Sequence, residues 1–198
     1  QIYRQYEELK SDSIDIIYPG NPNFPSNLLD YAEKFNISPV LFIKGQQKLL
    51  SSHSIAIVGS RNASDEGIKA AKEIAADLAK QGKNVVSGYA KGVDSEAHLG
   101  ALEAEGTTTI VLSYGIKELY KKKDFQEFNW KRDVLAVSQF QPDARWLARN
   151  AMARNRLVCT LSRAVVVIES GPERDLEGKM SGTFDAGKTA LEMRLPLF

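Results

Sequence analysis

The chain is poor in cysteine and histidine, and each scarcity removes a class of function. One cysteine, Cys159, among 198 residues cannot form an intrachain disulfide or a thiolate cluster. Two histidines, His53 and His98, are too few for a histidine-built metal site. No apolar run approaches the ~20 residues that span a bilayer, and the first residues lack a signal-peptide pattern, so no membrane association and a cytoplasmic location are expected. Charge has no dominant sign either: 26 Lys+Arg against 25 Asp+Glu leave a formal net charge of +1, so any surface for a polyanion must be local. No Gly-x-Gly-x-x-Gly follows the first regular β-run, which argues against a dinucleotide cofactor. Gly187-Lys188-Thr189 ends like an ATP-binding loop but falls inside an expected helix, and is rejected as an ATP site. No cofactor is expected.

What is present is an alternation of β-rich and helical runs. The first 50 residues are broken by Tyr18-Pro19-Gly20, Asn21-Pro22, Phe24-Pro25 and Ser38-Pro39, so residues 1–50 are expected as a lead-in arm with only a short helix (27–35) and a strand (40–44). Residues 51–198 are expected as the main domain. Ile55-Ala56-Ile57-Val58 reads as a strand buried on both faces. A helix follows, with Ser64 or Asp65 as N-cap, Ile68, Ala71, Ala75 and Leu78 on one face, and Gly82 as the stop. Strand 84–86, a helix capped by Asp94 or Ser95, strands 108–112 and 134–138, a helix over 148–161, strand 164–168 and a last helix from about Ser181 complete the pattern. The expectation is an α/β, Rossmann-like three-layer fold with a mostly parallel sheet. The final Leu195-Pro196-Leu197-Phe198 has the look of a strand cut short, so a longer natural chain is expected.

Parallel sheets bind ligands beyond the carboxyl ends of their strands. Three such ends carry small polar loops here: Gly59-Ser60-Arg61 with Ser64, Ser87-Gly88 with Lys91, and Ser181-Gly182-Thr183. Two open onto helix starts, where free N–H groups and the helix dipole favour phosphate. Tight turns need glycine in any case, but three convergent loops with an arginine among them favour an anion site. A second signal is the acid-free run from Ala144 to Arg163, which holds Arg145, Arg149, Arg154, Arg156 and Arg163 beside Trp146. Helical spacing places Arg149, Arg156 and Arg163 on one face. Arginines beside an aromatic suit single-stranded nucleic acid. His98 is expected to bond a loop carbonyl and orient the turn over residues 87–94. The charged stretch 171–179 is expected as a loop, or lid, near the site.

The loop residues, with Tyr89-Ala90-Lys91-Gly92-Val93-Asp94, Ala97-His98, Arg154-Asn155-Arg156, Leu161-Ser162 and Ser181-Gly182-Thr183, resemble the DNA-processing protein A (Smf) family, in its order, over roughly residues 18–198. The resemblance implies a protein that binds and protects single-stranded DNA, helps load the RecA recombinase in recombination and natural transformation (competence), and forms a homodimer. It carries phosphate binding onto Ser60 and Arg61, the second loop onto Ser87 and Gly88, and the arginine-asparagine-arginine motif onto Arg154, Asn155 and Arg156. Where the family has Phe-Pro before that motif, this chain has Ala151-Met152, which leaves Trp146 or Met152 as the base-stacking candidate.

The alternative is a nucleotide-binding protein, or a nucleoside-monophosphate phosphoribohydrolase-like enzyme of the same superfamily. That enzyme's loop ends in a glutamate, whereas Gly182-Thr183 is followed by Phe184-Asp185-Ala186, with Ala186 at the glutamate position. A non-catalytic protein is therefore the expectation.

Overall fold

Strand β3 (Ser54–Gly59) shows why the sheet needs two covering layers. Its side chains alternate, so Ile57 enters one apolar cluster while Ala56 and Val58 enter another on the opposite face. In the computed structural model, which describes residues 2–121 and 129–198, these faces are covered by helices on both sides of one sheet.

The seven strands lie in the order β1-β2-β6-β5-β4-β3-β7. They are β1 (Asp15–Ile17), β2 (Leu41–Gly45), β3, β4 (Asn84–Ser87), β5 (Thr108–Val111), β6 (Val134–Ser138) and β7 (Val165–Ile168). Neighbours from β6 through β7 are parallel, and β1 and β2 join antiparallel at the β6 edge. The mostly parallel, Rossmann-like sheet is as expected. The helices are α1 (Ile2–Ser11), α2 (Asn27–Phe35), α3 (Asp65–Lys80), α4 (Val93–Glu103), α5 (Ala148–Thr160) and α6 (Gly182–Glu192). Ala71, Ala75 and Ala79 of α3 pack with Ala97 and Ala101 of α4 over one face. Leu28, Leu157 and Ala186 bring α2, α5 and α6 onto the other.

Three expectations need correction. Residues 1–50 hold more regular structure than the prolines suggest: α1 and β1 are additional, and both strands of this region belong to the common sheet. Helix α4 starts earlier than an Asp94 or Ser95 cap implies. Its N-cap is Gly92, with φ of 83°, and a β-carbon there would stand 2.5 Å from the Ser60 carbonyl oxygen. Helix α5 ends at Thr160, so Arg163 is not on it; its backbone N–H donates instead to the Ser54 carbonyl. Residues 115–139 contain β6 on their described part, while residues 122–128 lie outside the described residues.

The strand order locates the site. From β3 the chain steps through β4 and β5 to β6 on one side, then returns to place β7 on the other side of β3. This reversal splays the following loops apart and opens a crevice at the carboxyl ends of β3 and β7.

Candidate phosphate-binding site

A cavity of about 570 Å³ occupies that crevice. Gly59, Ser60 and Arg61 line it from the end of β3, Lys91 from the loop before α4, Arg154 and Asn155 from α5, and Ser181, Gly182 and Thr183 from the start of α6. Nine of the residues singled out from sequence are thus brought together. Ser60 folds its loop locally, its hydroxyl accepting the Asn62 N–H at 3.1 Å. Arg61 is exposed, and among the described residues its guanidinium has no hydrogen bond or ion pair.

Arg154 is the buried cation of the site, only 7% exposed. Its Nη1 donates to Asp94 Oδ2 at 3.4 Å, a weak bond by length, and its Nε has no partner among the described residues. A buried guanidinium with spare donors favours an incoming anion. The turn that receives it is shaped for it. Gly88 packs so closely that a β-carbon there would lie 1.6 Å from Arg154 Nη1. The Gly88 carbonyl in turn accepts from His98 Nε2, the bond to a loop carbonyl expected of this histidine. Its Nδ1 stands 2.7 Å from the Thr108 hydroxyl, which donates to the Val85 carbonyl at 2.8 Å, so both ring nitrogens are held in place. Burial pushes the His98 pKa down to about 4, Arg154 adding to the effect while the Gly88 bond and Asp94 oppose it. The ring is a neutral strut at physiological pH.

The remaining singled-out residues lie elsewhere. Ser87 is fully buried, its hydroxyl donating to the Ile57 carbonyl at 2.6 Å and so tying β4 to β3. Gly88 acts through its carbonyl and its lack of a side chain. Ser64 is the N-cap of α3, accepting from the Gly67 N–H at 3.0 Å. Its own N–H and hydroxyl both go to the Glu169 carboxylate, which lies just past β7. The anion at this helix start is therefore the chain's own, and those two bonds hold the Glu169 carboxyl below its usual range. Arg149 is exposed in the first turn of α5 and lines neither this cavity nor the next one. Arg156 points away from Arg154 into a second groove of about 470 Å³, where its Nη1 donates to the Phe35 carbonyl at 3.3 Å. Consecutive helical residues stand about 100° apart, which separates the arginines of the motif.

Sequence reasoning passed over Ser113 and Tyr114, which line the cavity just beyond β5. The strand-end rule applied to the other strands would have found them. Burial pushes the Tyr114 hydroxyl up to about 12. Trp146 lines the cavity and is 54% exposed, so it is presented where a base could stack. Gly171, Pro172, Asp175 and Lys179 line it too, which puts the charged loop at the site.

The run Gly182–Thr189 carries every letter of a Gly-x-x-x-x-Gly-Lys-Thr phosphate loop, Gly182 included, so spelling alone does not exclude an ATP site. Geometry does. Gly182–Glu192 is one α-helix, and from Ala186 onward its N–H groups are committed to helical bonds rather than free to cradle phosphate. Among the described residues no His, Cys, Asp and Glu group could hold a metal ion, and no helix is long and apolar enough to cross a membrane. Cys159 is fully buried and burial pushes its thiol up to about 12, which disqualifies it as a nucleophile.

Known proteins match this arrangement. DNA processing protein DprA of Streptococcus pneumoniae is 35% identical over 170 residues, 84% of this chain and 56% of that protein. Protein Smf of Synechocystis is 30% identical over 197 residues, 97% of this chain and 47% of its own length. The chain thus spans about half the length of these curated relatives. Among solved structures, the Streptococcus pneumoniae protein superposes with a TM-score of 0.79 at 29% identity, covering 99% of this chain and 67% of that one. DNA processing protein A of Helicobacter pylori, solved for its single-stranded DNA binding mode, gives 0.71 at 28%, covering 93% and 79%. With residues 15–198 fitting its sequence pattern as well, this chain belongs to the DNA recombination-mediator protein A family.

Proposed function

We propose that the switch-point cavity binds the sugar-phosphate backbone of single-stranded DNA, and that the protein is a non-catalytic DNA-processing, recombination-mediator protein. On this reading it protects single strands and hands them to the RecA recombinase, as a homodimer in the cytoplasm. The observation that carries the proposal is the imbalance of charge in the cavity. Among the described residues Arg61 and Lys91 enter it without hydrogen-bond or ion-pair partners, and Arg154 enters it with spare donors. Of the two carboxylates lining it, Asp94 is tied to Arg154 and Asp175 accepts N–H bonds from Glu177 and Lys179. Uncompensated cations in a concave, partly dry site attract phosphates. The solved Helicobacter pylori relative, whose binding mode concerns single-stranded DNA, supports the same ligand here.

Hydrolysis of a nucleotide has less support. Asp185, the carboxylate nearest the hydrolase position, lines the second groove and not this cavity, and its Oδ2 is held by Asn155 at 3.1 Å. Trp146, exposed beside the cations of the cavity, offers a stacking face to unpaired bases, which favours single strands over duplex. Fluorescence anisotropy with a labelled oligothymidylate of about 16 nucleotides, against a duplex of equal length, tests the reading. The single strand should bind more tightly. Arg61→Ala should weaken it and flatten the slope of log K against log salt by about 0.7, one phosphate contact. Equal binding of duplex, or an Arg61→Ala variant indistinguishable from wild type, would overturn it.

A further inference from the structure

The second groove lies directly beside the first cavity. Met180 lines both, and the neighbouring residues Asn155 and Arg156 face one each. We propose that this groove is a second phosphodiester subsite on the same track, taking the backbone of the single strand as it leaves the switch-point cavity. The inference rests on the single-stranded DNA reading above and adds where the strand goes next.

Three cations line it, and among the described residues the single ion pair they make is a long one, from Lys188 to Glu173. Arg156 is half-buried and gives one hydrogen bond, to the Phe35 carbonyl, with no ion pair among the described residues. Lys34 is exposed, its Nζ 5.2 Å from the centre of the Phe35 ring. Lys188 pairs with Glu173 only at the 4.0 Å limit of an ion pair. Phe35 itself is buried and so supports Lys34 and Arg156 without being offered as a stacking ring. Two carboxylates share the groove. Glu192 stands at the end of α6, and Asp185 is engaged by the Asn155 amide, while burial pushes its carboxyl above the usual range. Among the described residues neither forms an ion pair with the three cations, although Arg156 and Lys188 lie near enough to Asp185 to favour its charge. A buried-edge guanidinium flanked by two flexible ammonium groups suits a run of phosphates better than one small anion, because the lysines can follow successive charges along a backbone. Asn155 then acts as a partition. Its side chain donates to the Gly182 carbonyl at 2.9 Å as well as to Asp185, which fixes the wall between cavity and groove.

Length dependence of binding distinguishes this inference from the reading it rests on. Anisotropy titrations would use 5′-labelled oligothymidylates of about 4 and about 16 nucleotides, the range of common single-strand site sizes. The proteins are wild type, the surface double variant Lys34→Gln/Lys188→Gln, and Arg156→Gln. Wild type should bind the longer strand more tightly than the shorter by more than the ratio of their lengths. The double variant should lose roughly tenfold on the longer strand, with its salt slope flatter by about 1.4, two contacts, and should bind the shorter strand as wild type does. Arg156→Gln should also weaken the longer strand selectively. Equal losses on both lengths, no loss on the longer one, or a wild type that gains nothing from length would overturn the second subsite while leaving the first cavity standing. If wild type bound neither strand, the reading of the first cavity would fall and this inference with it.

Discussion

The Arg154 guanidinium fills the space that a side chain on Gly88 would need: a β-carbon there would stand 1.6 Å from Arg154 Nη1 and 2.1 Å from its Cζ. The glycine is needed for this contact and not for a left-handed backbone. Gly88→Ala should therefore displace the guanidinium, break its bond to Asp94 and cost about 1–3 kcal/mol as an overpacked core does. It should weaken single-stranded DNA binding as strongly as Arg154→Ala. In a double-mutant cycle of urea unfolding, Gly88→Ala should cost much less in an Arg154→Ala background, because the clashing group is gone. Strictly additive effects would show that the clash is relieved by some other movement.

His98 sets a pH limit on stability. Its folded pKa of about 4 lies below the ordinary 6.5, so the unfolded chain binds the proton more readily. The stabilisation from keeping the ring neutral is complete above about pH 6.5 and is lost as pH falls toward 4, by roughly 3 kcal/mol in all. His98→Gln retains an N–H for the Gly88 carbonyl but cannot titrate. Urea unfolding of both proteins between about pH 7.5 and 4.5 should show wild type losing its advantage over the variant across that window. Parallel losses in the two proteins would mean that His98 is not the sensitive group.

The thiol of Cys159 offers a probe of the core against α6. It is fully buried, its Sγ 3.6 Å from the Ala186 carbonyl, and its pKa is raised to about 12. A chromogenic disulfide reagent at about pH 8 should leave it untouched in the folded protein and modify it at the rate of opening in mild denaturant. Rapid modification without denaturant would show that the α5–α6 contact is loose.

Local patterns in the sequence carried most of the fold. Asn27–Phe35 and Val134–Ser138 are read with their true ends, and Ser64 with Ala71 and Ala75 marks α3 and its buried face. What the pattern hid is instructive. Helix α1 puts Tyr3 and Tyr6 toward solvent and buries Leu9, so its apolar residues do not mark one covered face, and β1 is only three residues long. At the site, strand ends and glycines pointed to the right crevice, but pairings across long sequence separations did not show. Arg154 meets Asp94 and Ser64 meets Glu169 through contacts 60 and 105 residues apart. Counting arginines on a helical face therefore grouped Arg149, Arg156 and Arg163, whereas tertiary contact buries Arg154, turns Arg156 to a second groove and leaves Arg163 beyond the helix.

The tie between Glu169 and Ser64 leads to the last prediction. Glu169 follows β7 with φ of 51°, in the left-handed region that side chains other than glycine seldom adopt. Its carboxylate holds the backbone and hydroxyl of Ser64, which caps α3 at the end of the loop bearing Arg61. Glu169 therefore fixes the Arg61 loop from the neighbouring strand without contributing a charge to the phosphates. Because its carboxyl is held below the usual range, the tie should persist as pH falls through ordinary carboxylate values and be lost only below them. Glu169→Ala removes the carboxylate and keeps the unfavourable backbone, whereas Glu169→Gly removes the carboxylate and relieves it, so the glycine variant should be the more stable of the two. Both should show faster amide exchange at Ser64 and Gly67 and weaker binding of single-stranded DNA. The salt slope should stay at the wild-type value, since no phosphate contact is deleted, in contrast to the flattening expected for Arg61→Ala. A flattened slope in the Glu169 variants would mean that loosening the loop costs a phosphate contact outright. Unchanged binding with fast exchange would mean that Arg61 finds its phosphate without a fixed loop.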